Sequence, residues 1–342
     1  MSRRGELGSS VRGALARLDR AQRRRAWTAF PLAVVKKFGD DAAGSLAALV
    51  AYYGFFSVFP LLLVLVTLLG AVLSHDPGLR ERVLSSAIGQ FPVVGTELQR
   101  NVGAIRGSGL TLAVGLVGAV WAGTAVVNAF AHAMDEVWNV PRRARGPFWK
   151  ARARAVVGLV ILGVSVGLSA ALSAVAAGLA PSLLGAGLAL VLAAAIAAAA
   201  IAAGFRALTA EALTWRDVAP GAAIGGLAWV ALQAIGVWFV RRQIAGASDV
   251  FGVFAIVLGM LSWLYLAAQV LLFSAEVNVV WRRHLWPRSL FPPPTLEADR
   301  VVLARQAAET AALPEQRVEV RFEEPTAADD ARRSSSARRT RV

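Results

Sequence analysis

The longest uncharged segment of the chain is too long to cross a membrane only once. Residues 155–205 contain no Asp, Glu, Lys or Arg. As one straight helix they would extend about 77 Å at about 1.5 Å per residue, whereas the hydrocarbon of a bilayer is about 30 Å thick. The segment must therefore turn back. Pro181, with Ser182 and Gly185, supplies the break, because proline lacks the amide donor that a continuing helix needs. Two membrane spans joined by a tight turn are predicted.

The composition of the whole chain agrees with a membrane protein. Hydrophobic residues make up 56% of the chain and charged residues only 17%, which is far more apolar than an ordinary soluble protein. The apolar residues are clustered in charge-free runs long enough to cross a bilayer as helix, which takes about 20 residues. The six predicted spans lie near 44–73, 110–131, 155–180, 183–204, 218–240 and 250–275. The predicted fold class is therefore an all-α integral membrane protein, a bundle of six transmembrane helices.

The distribution of basic residues predicts the orientation of this bundle, because cytoplasmic segments retain Lys and Arg. Ten basic residues precede the first span and six lie between the second and third spans, whereas four follow the first span. The turn between the third and fourth spans has none. Both termini are therefore predicted to be cytoplasmic, and topology explains most of the net charge of +14.

Both ends of the chain differ in composition from the predicted bundle, which takes residues 42–284. Residues 1–41 form a basic cytoplasmic segment whose apolar spacing predicts an amphipathic helix on the inner leaflet, broken at Pro31. After the stretch FPPPT, the sequence LEADRVVLARQAAETAAL predicts a short helix. The Ser- and Arg-rich end that follows cannot bury a core. Residues 285–342 are therefore predicted to be a mostly disordered cytoplasmic tail.

Small residues at helical spacing predict where helices approach one another closely. Gly163 and Gly167 form one such pair, and Gly221 with Gly225 forms another. Because glycine has no side chain, two helix backbones can come close together at such a face. The Ala-rich fourth span, LVLAAAIAAAAIAAG, is similarly smooth and is predicted to be a tightly packed interior helix.

Polar residues in two spans fall on one face of each helix, and such residues are costly in hydrocarbon unless they face protein or water. In the second span these are Thr124, Asn128, His132 and Asp135. In the sixth span they are Ser262, Tyr265, Gln269 and Glu276. Both helices run from outside to inside in the predicted topology. The two stripes therefore converge on the cytoplasmic side and predict one polar cleft that opens inward.

A second interpretation assigns the same residues no site. Asp135 and Glu276 would then lie at the membrane interface and pair with basic residues, while the hydroxyl groups bond to the backbone of their own helices. The candidate partners are Arg142, Arg154 and Lys36. In the cleft interpretation, the two carboxylates orient arginines or carry protons, because an ionised carboxylate repels an anionic substrate. The sequence leaves both interpretations open.

Residues needed for catalysis or metal binding are missing or scattered. The chain has no cysteine, and its three histidines are His75, His132 and His284. No catalytic triad, phosphate-cradling loop or cluster of metal ligands is visible in the sequence, so no catalytic, metal or cofactor site is predicted. The basic stretches RAQRRRAW and ARRSSSARRTRV lack the aromatic interleaving of a nucleic-acid module. They predict contact with anionic lipid headgroups at the cytoplasmic face instead.

Three stretches of the chain resemble the YihY/BrkB family of bacterial inner-membrane proteins. They are LVAYYGFFSVFPLLLVL, AFAHAMDEVWNVPRRARGPFWKARAR and LSWLYLAAQVLLFSAEVNVVW, which occur in the family's order and spacing. The matches include the Phe-Pro step at Phe59–Pro60 and the Phe-Trp-Lys step at Phe148–Lys150. The family's Gly-Ala-Glu-x-Asn step is Ser274–Asn278 here, and serine is small enough to keep helices close.

This resemblance implies a six-helix, multi-pass protein of the bacterial inner (plasma) membrane with membrane lipids as partners. The resemblance does not determine the activity of the protein. A transporter or lipid flippase-like protein that acts on an envelope lipid or another anionic, amphipathic substrate agrees best with the polar stripes and the basic rim. A non-transporting envelope scaffold is the alternative. Some family members carry the label ribonuclease BN, but scattered histidines argue against an enzyme. The sequence also leaves open whether the protein forms a homo-oligomer.

Overall fold

The computed structural model of the chain describes residues 25–72, 109–179, 183–243, 252–290 and 295–322, together with Asp19, Gln22 and Gly78. All regular secondary structure in these residues is helical, which confirms the predicted all-α class. The helices are α1 Ala26–Asp40, α2 Ala43–Val72, α3 Gly109–Val137, α4 Phe148–Leu179, α5 Leu183–Leu208, α6 Trp215–Gln243, α7 Gly252–Arg283 and α8 Glu297–Glu309. A 3-10 turn at Arg142–Ala144 lies between α3 and α4.

Helices α2 to α7 coincide with the six predicted spans. Within the described residues, segments of α4 to α7 are long and apolar enough to cross a membrane. These segments are Trp149–Ser169, Leu184–Leu208, Trp215–Gly236 and Val257–Arg283. The first part of α2 meets the same requirement only together with α1, from which it is bent by 64°. The described structure is therefore an α-helical membrane protein with four or five candidate spans.

Helix α1 packs on α7 and α2 through one face. Ala29, Ala33 and Val34 are buried on this face, whereas Trp27 is 71% exposed. Pro31 lies inside the helix, so the prediction that it breaks this segment is wrong. Proline removes one backbone hydrogen bond, and the buried apolar face of α1 offsets that cost. The chain turns into α2 at Asp41 and Ala42, and Ala42 has a left-handed φ of 50°.

The α6–α7 contact confirms one of the two predicted glycine pairs. A Cβ atom at Gly221 would lie 2.0 Å from the carbonyl oxygen of Ser274, and one at Gly225 would lie 2.8 Å from Ser274 Oγ. The backbones therefore approach closely only because these side chains are absent. Gly163 and Gly167 have no atom within 4 Å of a Cβ placed on them, so the close packing predicted for that pair is wrong. Their face of α4 is turned away from the described helices.

Helix α5 lies at the edge of the bundle rather than in its interior. Its alanines pack on α6, where a Cβ at Gly226 would lie 2.6 Å from the carbonyl oxygen of Ala194. The other face of α5 is exposed, and Leu184 is 88% exposed. The prediction of an interior helix is therefore wrong. Helix α5 packs on its two neighbours, α4 and α6, and the leucines on its exposed side suit lipid.

The segment after α7 is part of the folded body. Leu285, Val302 and Ala311 are buried, and the backbone amide of Arg143 donates to the carbonyl of Ala311 at 3.1 Å. Helix α8 agrees with the short helix that the sequence predicts. The packing of these residues differs from the mostly disordered tail expected for 285–342, although residues 323–342 lie outside the described part of the chain.

Candidate functional site

A pocket of about 260 Å³ lies between the end of α3 and the start of α4. It is lined by Asn128, Ala131, His132, Asp135, Arg145, Gly146, Ala151, Arg152 and Arg154. Three arginines and one carboxylate thus face the same space. The structure therefore brings together three of the predicted site residues, Asn128, His132 and Asp135, in a pocket whose positive charge comes from α4 and the preceding loop.

The local sequence explains how the pocket forms. The α3 residues that line it follow the pattern i, i+3, i+4, i+7 from residue 128 to residue 135, so they share one helix face. Gly146 has a φ of 80°, a conformation that glycine adopts without strain. The chain can therefore turn sharply from the loop into α4. Arg152 and Arg154 follow within the first two turns of that helix.

Asp135 holds Arg154 in position rather than facing open solvent. The Asp135 carboxylate is buried and lies 3.5 Å from the Arg154 guanidinium. It also accepts a hydrogen bond of 2.7 Å from the backbone amide of Ala210. Arg154 in turn donates to the carbonyl of Arg145 at 2.9 Å. The pairing with Arg154 was one of the partners expected in the interpretation without a site. Asp135 is therefore an orienting residue in this pocket.

Arg145 bridges two glutamates that are far apart in sequence. Its guanidinium lies 2.9 Å from the Glu136 carboxylate and 2.7 Å from that of Glu309. It also lies 3.3 Å from His132 Nδ1. Burial, together with the adjacent Glu136 carboxylate, raises the pKa of Glu309 to about 8, although Asn139 and Arg145 act in the opposite direction. Helix α8 thus contacts Arg145 of the pocket through Glu309, an acid that is largely protonated at neutral pH.

The raised pKa of Glu309 predicts that α8 docks less tightly in alkaline solution. An acid whose pKa is raised by folding stabilises the docked state fully below its unfolded pKa, and this contribution is lost as the pH rises through about 8. Glu309→Gln, which stays neutral, should keep α8 docked at high pH. The measurement is hydrogen exchange of the α8 amides, corrected for intrinsic rate, on both sides of this pH. The exposed Glu315→Gln serves as the control. Equal loss of protection in wild type and Glu309→Gln would contradict this prediction.

The other predicted site residues lie outside this pocket. The Thr124 hydroxyl donates to the carbonyl of Trp121 in its own helix at 2.8 Å, as the interpretation without a site expects. Ser262 is exposed, whereas Gln269 and Tyr265 are half-buried on α7. The Tyr265 hydroxyl lies 3.6 Å from the position of a Cβ on Gly44. These four residues are therefore not among those that line the pocket.

Glu276 is fully buried and belongs to a different group of charges. Its carboxylate lies 3.6 Å from Lys37 Nζ, and Lys37 also forms an ion pair with Asp41. The expected partner Lys36 instead binds Asp299 on α8 at 2.7 Å. Lys36 and Lys37 are adjacent on α1 and point in different directions. A sequence pattern that places a lysine near Glu276 does not distinguish them.

The entrance of α4 presents aromatic and basic side chains to the surroundings. Trp149 is 64% exposed, and Lys150 Nζ lies 5.4 Å from the centroid of its ring. Arg152 is exposed at the adjacent pocket. Tryptophan and lysine favour the boundary between lipid headgroups and hydrocarbon. This edge of the pocket therefore has the composition of a membrane interface.

The fold and the interface composition of α4 define an α-helical membrane protein with several apolar helices. Residues 34–293 of the 342-residue chain match the family model described as Virulence factor BrkB. The chain therefore belongs to this family, which confirms the resemblance seen in the sequence. Comparison with curated proteins and with solved structures gave no match. Among the described residues, no three His, Asp or Glu side chains are arranged to hold a metal ion.

Proposed function

We propose that the protein moves an anionic amphiphile of the cell envelope across the bacterial inner membrane, as a transporter or lipid flippase-like protein. The observation that carries this proposal is the pocket at the α3–α4 junction, which is lined by three arginines and lies near an exposed Trp-Lys pair at the start of α4. An acidic headgroup would occupy the pocket, while the acyl part would remain beside the apolar surface of α4. A non-transporting envelope scaffold is the alternative function.

The proposed topology has six spans, α2 to α7, with both termini in the cytoplasm. The coincidence of these helices with the six spans predicted from charge-free runs, two of them from the run 155–205, supports the span count. Three basic residues in the loop between α3 and α4, and three more in the first two turns of α4, support a cytoplasmic position for that end of the two helices. In this topology the pocket opens beside the headgroups of the inner leaflet.

The residues of the pocket favour a phosphate-bearing or carboxylate-bearing headgroup. Guanidinium groups bind such oxygen pairs with two parallel hydrogen bonds. Asp135 fixes Arg154, and Glu136 fixes Arg145, so these arginines are held before a ligand arrives. Arg152 lines the same pocket and is exposed. Its guanidinium is therefore accessible to an entering headgroup.

Arg152→Gln should reduce translocation about tenfold or more, since a hydrogen bond to a charged group contributes about 1.5–3 kcal/mol. The measurement is transfer of fluorescent anionic lipid between the leaflets of proteoliposomes, alongside uptake of a water-soluble organic anion. The matched control is Arg142→Gln, because Arg142 is likewise exposed, in the loop that precedes α4, but does not line the pocket. Equal rates in the two variants would contradict the role of the pocket. No movement of either probe by the wild-type protein would favour the scaffold.

A membrane-bound ribonuclease is the least supported alternative. His132 lines the pocket, whereas His284 stacks on Trp286 with 5.2 Å between ring centroids. The two histidines therefore lie in different surroundings. A metal-dependent nuclease needs clustered His and carboxylate ligands, and the proposal assigns the protein no enzymatic activity.

A further inference from the structure

A buried cluster of three ionisable side chains lies where α1 turns into α2 beneath the end of α7. Its members are Lys37, Asp41 and Glu276, whose side chains are 0%, 2% and 0% exposed. Lys37 Nζ donates to the Asp41 carboxylate and, at 3.0 Å, to the carbonyl of Val137 at the end of α3. Helices α1, α3 and α7 and the turn between α1 and α2 therefore meet at this ammonium group.

Hydrogen bonds in this cluster favour one of the two acids over the other. Asp41 accepts hydrogen bonds from Lys37, from Gln306 of α8 at 3.0 Å and from Asn139 at 3.5 Å. Neither carboxyl oxygen of Glu276 has a hydrogen-bond partner among the described residues, although both oxygens are buried. Donors stabilise an ionised carboxylate. Asp41 is therefore placed to carry the negative charge, and Glu276 is not.

The charge balance points to a proton on Glu276. Lys37 is the cation paired with Glu276, and Asp41 binds the same ammonium group. From α3, the backbone carbonyl of Val137 also accepts a hydrogen bond from Lys37. With both acids ionised, the cluster would carry one excess negative charge in a site shielded from water. An uncompensated buried charge is costly, and such a group takes up a proton instead.

We propose that Glu276 is a proton-binding site, occupied in the resting protein and located at the α1–α2 joint. A neutral Glu276 can donate to the neighbouring Asp41 carboxylate, which leaves the Lys37–Asp41 pair intact. Loss of the proton would place a second anion 3.6 Å from Lys37 Nζ. Two carboxylates would then compete for the ammonium that also holds the end of α3. The protonation state of Glu276 thereby acts on the contacts between α1, α3 and α7. This inference does not depend on the proposed translocation activity.

The test is infrared difference spectroscopy of the full-length protein in detergent, with selectively labelled glutamate. At neutral pH the wild type should show the carbonyl band of a protonated glutamic acid, and Glu276→Gln should lack it. Glu297→Gln, which changes an exposed acid of α8, should keep the band. Glu309→Gln should remove only its own, separate contribution. Since glutamine imitates the neutral acid, Glu276→Gln should shift the melting temperature by less than about 3 °C.

Asp41→Asn distinguishes proton binding from simple burial of Glu276. In this variant Glu276 becomes the only acid beside Lys37 and should ionise, so its band should disappear although the residue is still present. A band that is absent from the wild type, or that persists in Glu276→Gln, would overturn the proposal. Persistence of the band in Asp41→Asn would overturn the charge balance on which it rests. Absence of the band together with stabilisation by sodium would assign the site to a metal cation instead.

Discussion

Alanine at Gly221 is expected to separate α6 from α7 and to destabilise the protein by about 3 kcal/mol or more, the upper end of typical overpacking costs. The new Cβ atom would lie 2.0 Å from the Ser274 carbonyl oxygen and 2.6 Å from Asn278 Cγ. Neither neighbour can move away without disrupting a stabilising interaction. The carbonyl belongs to the backbone of α7, and Asn278 accepts a 2.6 Å hydrogen bond from the Gly221 amide. Thermal unfolding and the yield of monodisperse protein in detergent measure the effect.

Gly163→Ala is the matched control, because it makes the same change in another predicted span. No atom lies within 4 Å of a Cβ at this position. The alanine should therefore be tolerated and should stabilise α4 by up to about 1 kcal/mol, the difference in helix propensity between the two residues. A similar loss of stability in Gly221→Ala and Gly163→Ala would show that glycine flexibility, and not the α6–α7 contact, determines stability.

Asp299→Ala is expected to release α8 and the C-terminal segment from the body of the protein. Asp299 is buried and accepts hydrogen bonds from Lys36 at 2.7 Å, from Arg288 at 2.9 Å and from the amide of Ser289 at 3.0 Å. Removing one partner from a buried ion pair costs about 3–5 kcal/mol, because the remaining charge is left uncompensated. Trypsin cleavage within α8, at Arg300 and Arg305, should become much faster than in the wild type.

Glu297→Gln provides the control for this experiment, since Glu297 is an exposed acid in the same helical turn. Its cleavage rate should match that of the wild type. Burial acts to raise the pKa of Asp299, but hydrogen bonds from Lys36 and from the amides of Ser289 and Leu296 hold it below its ordinary value. A lowered acid pKa stabilises docking above the unfolded pKa, and this contribution is lost as the pH falls through the folded value. Rapid cleavage of both variants would contradict specific anchoring by Asp299.

Sequence patterns were sufficient where one local property determined the structure. Charge-free runs predicted the positions of α2 to α7, because the length of an apolar segment limits how it can fold. The Gly221–Gly225 pair was recognised because close helix packing requires small side chains. The pairing of Asp135 with Arg154 was among the alternatives, since both residues border the same predicted loop. These predictions needed no knowledge of which helices become neighbours.

Other predictions depended on which helices become neighbours in the folded protein. In a membrane protein the side facing lipid is as apolar as the side facing protein, so Gly163 and the alanines of α5 gave no signal of direction. The two polar stripes were placed in one cleft, yet α7 turns Glu276 toward Lys37 while α3 turns Asp135 toward Arg154. The residue types along a helix do not reveal which neighbour each of its faces will contact.

The role of α8 was missed for a different reason. Its contribution to the pocket is a contact between Glu309 and Arg145, which are distant in sequence because the four helices α4 to α7 lie between Arg145 and α8. The acids of α8 also resemble those of an ordinary solvated helix. A signal was present in the apolar residues of the stretch VVLA, which include the buried Val302. A short apolar stretch in a charged segment does not by itself identify the surface that it covers.

The proposed function requires the pocket to lie at the cytoplasmic end of a six-span bundle. Single cysteines in this cysteine-free chain test that position directly, with a membrane-impermeant thiol reagent applied to intact cells and to inverted vesicles. The positions are Ser85, in the loop predicted to be outside, Ser335, in the C-terminal tail, and Ala144, which is exposed next to the pocket. Ser85 and Ser335 lie outside the described residues. Labelling of Ser85→Cys in cells, and of Ala144→Cys and Ser335→Cys only in inverted vesicles, is the predicted result. Labelling of Ala144→Cys from the cell exterior would contradict the account.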